Sequence, residues 1–222
     1  MELVHAGLAL AAGALTGGAA IPVLRRLPEP LDDPDVAGKR PYATLATPWF
    51  AFGVTVASAA ASTLVAAAVT PWHWLAWAAL TTVSVLAVAI DLRTTYLPRV
   101  LAHAGYAIAA AGVVVACVGT GSPLPAVASS AGALATGGFF WLFWRVSGGL
   151  GYGDVRLAAT IGAVTALTSA ELVLWSAFLG TLVGAVWSVA RRLASGSDAP
   201  FAYGPALLAG PFLALVLTLA LF

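Results

Sequence analysis

The sequence predicts an all-α, polytopic membrane protein with about eight transmembrane helices and both termini on the extracytoplasmic side. Of its 222 residues, 61% are hydrophobic and only 9% are charged, and the mean hydropathy is +0.96. Soluble globular domains carry about 25% charged residues, so the composition excludes an ordinary soluble fold. The net charge of +1 predicts no nucleic-acid partner, because such binding needs clustered basic surface.

Apolar segments recur along the whole chain and predict the helices. A membrane-spanning helix needs about 20 mainly apolar residues, and eight segments approach this length. The first is expected to stay in place as a helix, because its leading residues MELVH lack the basic charge of a signal peptide. The sixth is short, and its start can lie inside the glycine-rich loop before it. The segments are 3–24, 49–70, 72–90, 100–118, 124–144, 155–168, 170–190 and 203–222.

The basic residues predict the orientation of these segments. All ten fall in alternate connections, and positively charged loops are retained in the cytoplasm. The whole chain is interpreted as one membrane-embedded domain, with two helices and a cytoplasmic loop (25–48) in residues 1–71 and a core in residues 72–211. The basic residues are Arg25, Arg26, Lys39, Arg40, Arg93, Arg99, Arg145, Arg156, Arg191 and Arg192.

Two aspartates stand at the predicted cytoplasmic ends of helices. Asp91 ends the third segment and Asp154 opens the sixth, so both lie at the same predicted depth. A carboxylate at a membrane boundary needs a partner, water or a function, because burying it alone is costly. One interpretation is structural, with each aspartate capping a helix or pairing with Arg93 or Arg156. The other is chemical, with the two carboxyl groups acting together.

A pair of adjacent carboxyl groups shares a proton, and this provides one base and one acid. The base can activate water for attack on a peptide carbonyl while the acid protonates the leaving nitrogen. The glycines before Asp154 suit such a site, because glycine lets a substrate strand approach closely. His103 is an alternative general base, although a hydrogen-bonded helix histidine is the simpler interpretation of it.

The segment GYGDVRL resembles the GxGD signature of the prepilin peptidases, the intramembrane aspartic proteases of family A24. Arg156 stands where that family usually has lysine. The segment DLRTTYLPRVL is similar to the family's first motif through Asp91, Leu97 and Pro98. FAYGPALLAGP is similar to the segment that opens the family's last helix, with Gly204 and Pro205 at the matching positions.

This resemblance implies a specific activity. Asp91 and Asp154 would be the catalytic pair of an endopeptidase that removes the leader of a type IV prepilin or pseudopilin, next to the substrate's hydrophobic helix. Cleavage would occur at the cytoplasmic face of a bacterial inner membrane, with the lipid bilayer as the other partner. It also implies substrate-binding or loop-shaping roles for the residues that match the motifs. These are Gly151, Gly153, Arg156, Pro98, Gly204 and Pro205.

Longer members of that family carry paired CxxC motifs that bind zinc, and they also methylate the new N-terminus. Here the single cysteine, Cys117, lies in an apolar segment. The resemblance therefore predicts a short form with no zinc and no cofactor, and it leaves N-methyltransferase activity open. The acidic residues of the first loop are an alternative cation site, although a solvated connector is the simpler interpretation. They are Glu29, Asp32, Asp33 and Asp35.

Two other functions use the same residues. A small proton- or cation-coupled transporter would use Asp91 and Asp154 as relays, and it predicts a polar path across the bilayer. An inactive relative that serves as an assembly scaffold would not need to keep both aspartates in the motifs.

Overall fold

The structure is a computed structural model that describes residues 2–29, 40–147, 150–195 and 201–221, and most of these residues are helical. Within these residues all regular structure is helical, and the predicted all-α class is confirmed. The helices are α1 (Glu2–Arg26), α2 (Pro48–Ala68), α3 (Trp74–Ala78), α4 (Val85–Thr94), α5 (Arg99–Thr120), α6 (Leu124–Ser147), α7 (Tyr152–Thr165), α8 (Ala170–Ser195) and α9 (Gly204–Leu221).

The third predicted segment is more complex than a single α-helix. It starts with the short 3-10 turn Pro71–His73, continues through α3, and widens into a π-helix over Ala79–Ser84 before α4. A π-helical insertion adds a residue within a helix and is frequent at functional sites. We call the continuous region Pro71–Thr94 the central helix.

Six helical segments of the described chain are long and apolar enough to cross a membrane, and the protein is therefore a multi-pass membrane protein. By length and composition these are α1, α2, the central helix, α5, α6 and α8. The other two predicted spans are shorter. With 14 residues, α7 is about 21 Å long, and the apolar part of α9 also falls below the span length. Eight crossings, and the side on which the termini lie, stay predictions.

Small residues bring three helix pairs into close contact. α1 packs against α2, α6 against α7, and α8 against α9. A methyl group on Gly162 of α7 would overlap the Thr136 side chain and the Gly132 backbone of α6, and one on Gly17 of α1 would overlap Thr55 of α2. Such close approach is how helices associate where no hydrophobic effect operates between them.

The central helix lies among these pairs. Trp77, Leu80 and Ile90 are fully buried, and the helix contacts α2, α5, α7 and α9. At its start the His5 ring meets the Trp74 ring edge-on, with 4.8 Å between centroids. The beginning of α1 therefore lies at the same end of the bundle as the turn between α2 and the central helix.

A hydrogen bond joins the two ends of the first predicted cytoplasmic loop. The Glu29 carboxylate accepts a hydrogen bond of 2.6 Å from the Tyr42 backbone N–H. Tyr42 opens a 3-10 turn, Tyr42–Leu45, in which Tyr42 and Leu45 are buried. Asp32, Asp33 and Asp35, considered as cation ligands, lie outside the described residues.

Candidate active site

Asp91 lies in the last turn of α4, one turn earlier than the predicted position at the helix end. Its side chain is 4% exposed. The carboxylate oxygen Oδ2 accepts a hydrogen bond of 3.0 Å from the backbone N–H of Gly204, at the start of α9. The first N–H groups of a helix have no partner within the helix. The Gly204 N–H at the start of α9 is therefore available to the buried Asp91 carboxylate.

Asp154 is the third residue of α7, which begins at Tyr152 inside the glycine-rich loop, earlier than the predicted residue 155. Its side chain is 7% exposed. The Oδ2 atom accepts a hydrogen bond of 3.1 Å from the N–H of Gly151, the N-cap residue. Asp154 therefore caps its own helix, as the structural interpretation expects, and the positive end of the helix dipole favours a carboxylate there.

The fold brings the two aspartates together, although 62 residues separate them in the sequence. Their carboxyl groups are close enough to interact electrostatically. Leu97 packs between the segments that hold them. A Cβ atom on Gly153 would lie 2.8 Å from the Leu97 Cβ, and one on Gly204 would lie 3.4 Å from the Leu97 Cδ1.

A sharp turn between α4 and α5 places Leu97 at this junction. Thr95 ends α4 in the left-handed conformation, with φ of 56°, which is uncommon for a residue other than glycine. The Thr94 hydroxyl donates to the Ile90 carbonyl at 2.9 Å. Pro98, one of the predicted loop-shaping residues, is the N-cap of α5 and is buried.

Arginine does not pair with either aspartate within the described part of the chain, in contrast to the arginine-pairing interpretation. Arg93 and Arg156 each follow an aspartate by two positions, and residues at that spacing do not share a helix face. The Arg156 guanidinium instead lies over the Tyr152 ring, 4.7 Å from its centroid. The Arg156 carbonyl accepts hydrogen bonds from Tyr106 and Thr160, so Arg156 contributes to the packing of α7 and α5.

An apolar groove lies between α2, α4 and α9, along the part of α4 that carries Asp91. Its volume is about 440 Å³. It extends from Ala61 on α2 to Arg93 at the end of α4, with Pro205 in its wall. Val88 connects the groove to the pair, because it lines the groove and its Cγ1 lies 3.4 Å from the position of a Cβ on Gly204.

Two residues of this site were not among the predicted site residues. Leu97 was matched as part of a motif, but nothing in its chemistry signalled a packing role between two glycines. Tyr203 precedes Gly204 and interacts electrostatically with Asp154. Its position beside the glycine-proline pair was the signal that could have identified it.

The geometry leaves one oxygen of each carboxyl group for chemistry. Both hydrogen bonds use Oδ2, and among the described residues no donor to either Oδ1 is seen. Two carboxyl groups at short range hold one proton between them more readily than two negative charges. The pair can therefore accept a proton at one member and donate one from the other.

A family model described as the type IV leader peptidase family matches residues 77–189, just over half of the chain. The match includes Asp91, Asp154 and the helices between them, and it ends before Gly204. Among curated proteins and solved structures, none matches the chain at a significant level.

Proposed function

Because the chain belongs to the type IV leader peptidase family, a family of proteases, we propose that it is a membrane aspartic endopeptidase that cleaves the leader from prepilin-like or pseudopilin-like proteins. The observation that carries this proposal is the pair of buried aspartates, Asp91 and Asp154, held at one end of the bundle by glycine amides. Each comes from a segment that resembles a motif of that family.

The reaction needs only water and the two carboxyl groups. The ionised member of the pair removes a proton from a water molecule, whose oxygen attacks the scissile carbonyl carbon and forms a tetrahedral intermediate. The protonated member gives its proton to the leaving nitrogen as the C–N bond breaks. The products are the leader with a new carboxyl terminus and the mature protein with a new amine.

The backbone amides have a defined role in this mechanism. Gly204 and Gly151 each bind the Oδ2 atom of one carboxyl group, which fixes the direction of the other oxygen toward the substrate. Gly153 allows α7 to pack on Leu97, since a methyl group there would be only 2.8 Å from the Leu97 Cβ. Correct orientation of reacting groups is itself a large part of a catalytic effect.

The cleavage is proposed to occur at the cytoplasmic face of a bacterial inner membrane. The basic residues in alternate connections support this orientation, because Arg93, Arg99 and Arg156 lie at the same helix ends as the aspartates. Prepilin-like leaders are themselves cytoplasmic before cleavage, so a site at this depth can reach the bond between leader and hydrophobic helix.

The apolar groove is the proposed binding site for the hydrophobic helix of the substrate, which would lie next to the pair. Gly53, Ala57 and Ala61 follow one another at four-residue spacing along its α2 side. Small residues at that spacing allow a second helix to approach closely, and Val88 joins this surface to Gly204 and Asp91.

The test is cleavage of a prepilin-like protein from the same genome by the purified full-length chain in detergent. Wild type is compared with Asp91→Asn and Asp154→Asn, which keep the side-chain shape and remove the titratable group. We expect leader removal by the wild type alone. Glu171→Gln is the matched control. This substitution also converts a carboxyl group into an amide, but Glu171 lies in the first turn of α8 and is not a member of the pair.

Cleavage by either asparagine variant at the wild-type rate would refute the proposed pair. A folded wild-type chain that cleaves no prepilin-like protein of its genome would refute the substrate class. The family match does not support the alternative of a small proton- or cation-coupled transporter, because the family is one of proteases.

A further inference from the structure

Tyr203 connects three parts of the site. It stands at the N-cap position of α9, where its carbonyl accepts hydrogen bonds of 3.1 Å from the N–H groups of Ala206 and Leu207. The next N–H along the chain, that of Gly204, is the one that binds Asp91. Any displacement of Tyr203 therefore moves the donor that holds the Asp91 carboxylate.

The Tyr203 side chain is held by α8. A methyl group on Gly184 would overlap the Tyr203 ring, so the ring lies directly on the α8 backbone. One turn earlier on α8, the Thr181 side chain lies within hydrogen-bonding reach of the Tyr203 hydroxyl. The Phe201 ring closes the other side, edge-on at 6.0 Å between centroids.

The phenol also lies within electrostatic range of the second aspartate. Tyr203 interacts electrostatically with Asp154, and a tyrosine phenol ordinarily has a pKa of about 10. The hydroxyl therefore stays neutral and keeps its proton at any pH at which a carboxyl pair works. A neutral phenol near a carboxylate is favourable, whereas a phenolate there would repel it.

We infer that Tyr203 is a positioning residue of the aspartate pair: its ring and hydroxyl fix the start of α9 on α8, which keeps the Gly204 amide on Asp91 and the phenol within electrostatic range of Asp154. The inference rests on the proposed peptidase function. It goes beyond it by assigning a role to a residue outside the matched part of the chain, and by making α8 a support of the site.

The experiment uses the full-length chain and a substrate that the wild type cleaves. Tyr203→Phe keeps the ring and removes the hydroxyl, and Thr181→Val removes the partner of that hydroxyl. We expect Tyr203→Phe to lower kcat about tenfold, the effect of losing one hydrogen bond near a charged group, with KM unchanged. The double variant should be no slower than Tyr203→Phe alone, because both changes remove the same interaction.

Tyr106→Phe is the matched control. It makes the same chemical change in a tyrosine of α5, whose hydroxyl donates to the Arg156 carbonyl instead of holding the start of α9. A purely structural role predicts equal losses of kcat for the two variants, or a loss that follows the fall in the unfolding temperature. Each of these two results would overturn the inference. A wild-type kcat in Tyr203→Phe would also overturn it, and so would additive effects of the Tyr203 and Thr181 changes.

Failure of the inference can be separated from failure of the peptidase proposal. If the wild type cleaves nothing, the peptidase proposal fails and the inference is decided by thermal unfolding of Tyr203→Phe, Asp154→Asn and the double variant. A non-additive shift in the unfolding temperature supports the contact between Tyr203 and Asp154. Simple additivity overturns it.

Discussion

α2 and the central helix are almost equally apolar, but α2 is mostly exposed at the outside of the bundle and the central helix is mostly buried within it. In the most apolar part of α2, 17% of the residues are buried, against 61% in the central helix. This difference in burial goes together with a difference in the number of buried polar residues. The central helix buries Thr81, Ser84 and Asp91, whereas within α2 the buried polar residue is Ser58. Mean hydropathy thus identifies a span, but buried polar side chains identify the helix that the others surround.

The largest expected effect separates the polar residues of these two helices. Asp91→Asn on the central helix should lower kcat/KM by at least about 100-fold, the usual contribution of a general acid or base, without lowering the unfolding temperature. Ser58→Ala on α2 should do the reverse, since it removes only a 3.2 Å hydrogen bond to Thr16. Cleavage kinetics and thermal unfolding of the two purified variants measure both effects. Loss of activity in Ser58→Ala would break the comparison.

A second prediction concerns packing against the central helix. Gly112 of α5 lies on the backbone of Ala76, and a methyl group there would overlap it. Gly112→Ala should therefore destabilise the protein by about 1–3 kcal/mol, as overpacking does. Gly18→Ala is the control, because a Cβ atom on Gly18 meets nothing within 4 Å. Equal unfolding temperatures for the two variants, measured in the same detergent, would show that the central helix can shift to make room.

A third prediction sharpens the role of α2, which is peripheral in packing yet lines the groove. Ala57→Phe fills part of the groove and should raise KM about tenfold, which corresponds to about 1.4 kcal/mol of binding, while kcat stays within twofold of the wild type. Val56→Phe adds an aromatic ring on a neighbouring exposed position outside the groove lining and should leave KM unchanged. Steady-state kinetics with a substrate that retains its hydrophobic helix provide the measurement. A matching rise in KM for both variants would assign the effect to α2 in general.

The smallest expected effect is at the other end of the central helix. The Trp77 indole N–H donates to the Thr168 hydroxyl at 3.3 Å, so Thr168→Val should cost about 0.5–1.5 kcal/mol of stability. Thr63→Val on α2 removes a hydroxyl that bonds only to its own helix and should cost less. Chemical or thermal unfolding distinguishes them, and a larger loss in Thr63→Val would contradict the assignment of the core to the central helix.

Much of the fold was accessible from the sequence because bilayers impose length and hydropathy on every span. The positions of α1, α2, α5, α6 and α8 followed from this constraint. The π-helix over Ala79–Ser84 did not, because it depends on how the central helix packs between its neighbours. The short α7 was signalled by the length of its segment, whereas its start at Tyr152 depends on the Asp154 cap, which a count of apolar residues ignores.

The site was accessible only in part. Asp91 and Asp154 were found because carboxylates are rare in apolar sequence, and the fold brings them together. Their hydrogen-bond partners were not predicted, because almost every residue has a backbone N–H and the sequence does not indicate which of them binds a carboxylate. Tyr203 was passed over for a similar reason. Its contacts with Gly184 and Thr181 come from the packing of α9 on α8, which the residues of α9 alone do not encode.

The hydrogen bonds to the two aspartates have a consequence for genetics. Both donors are main-chain amides, which among ordinary substitutions only proline removes. Inactivating alleles at the site should therefore fall on the aspartates themselves and on the glycines that permit the approach, above all Gly204, where a methyl group would come within 2.7 Å of the Asp91 carboxylate. Nearby side chains that contact neither the aspartates nor Leu97 and Tyr203 are under no such constraint. A lineage of this protein could thus replace many of the surrounding side chains and keep the same pair of carboxyl groups in the same environment.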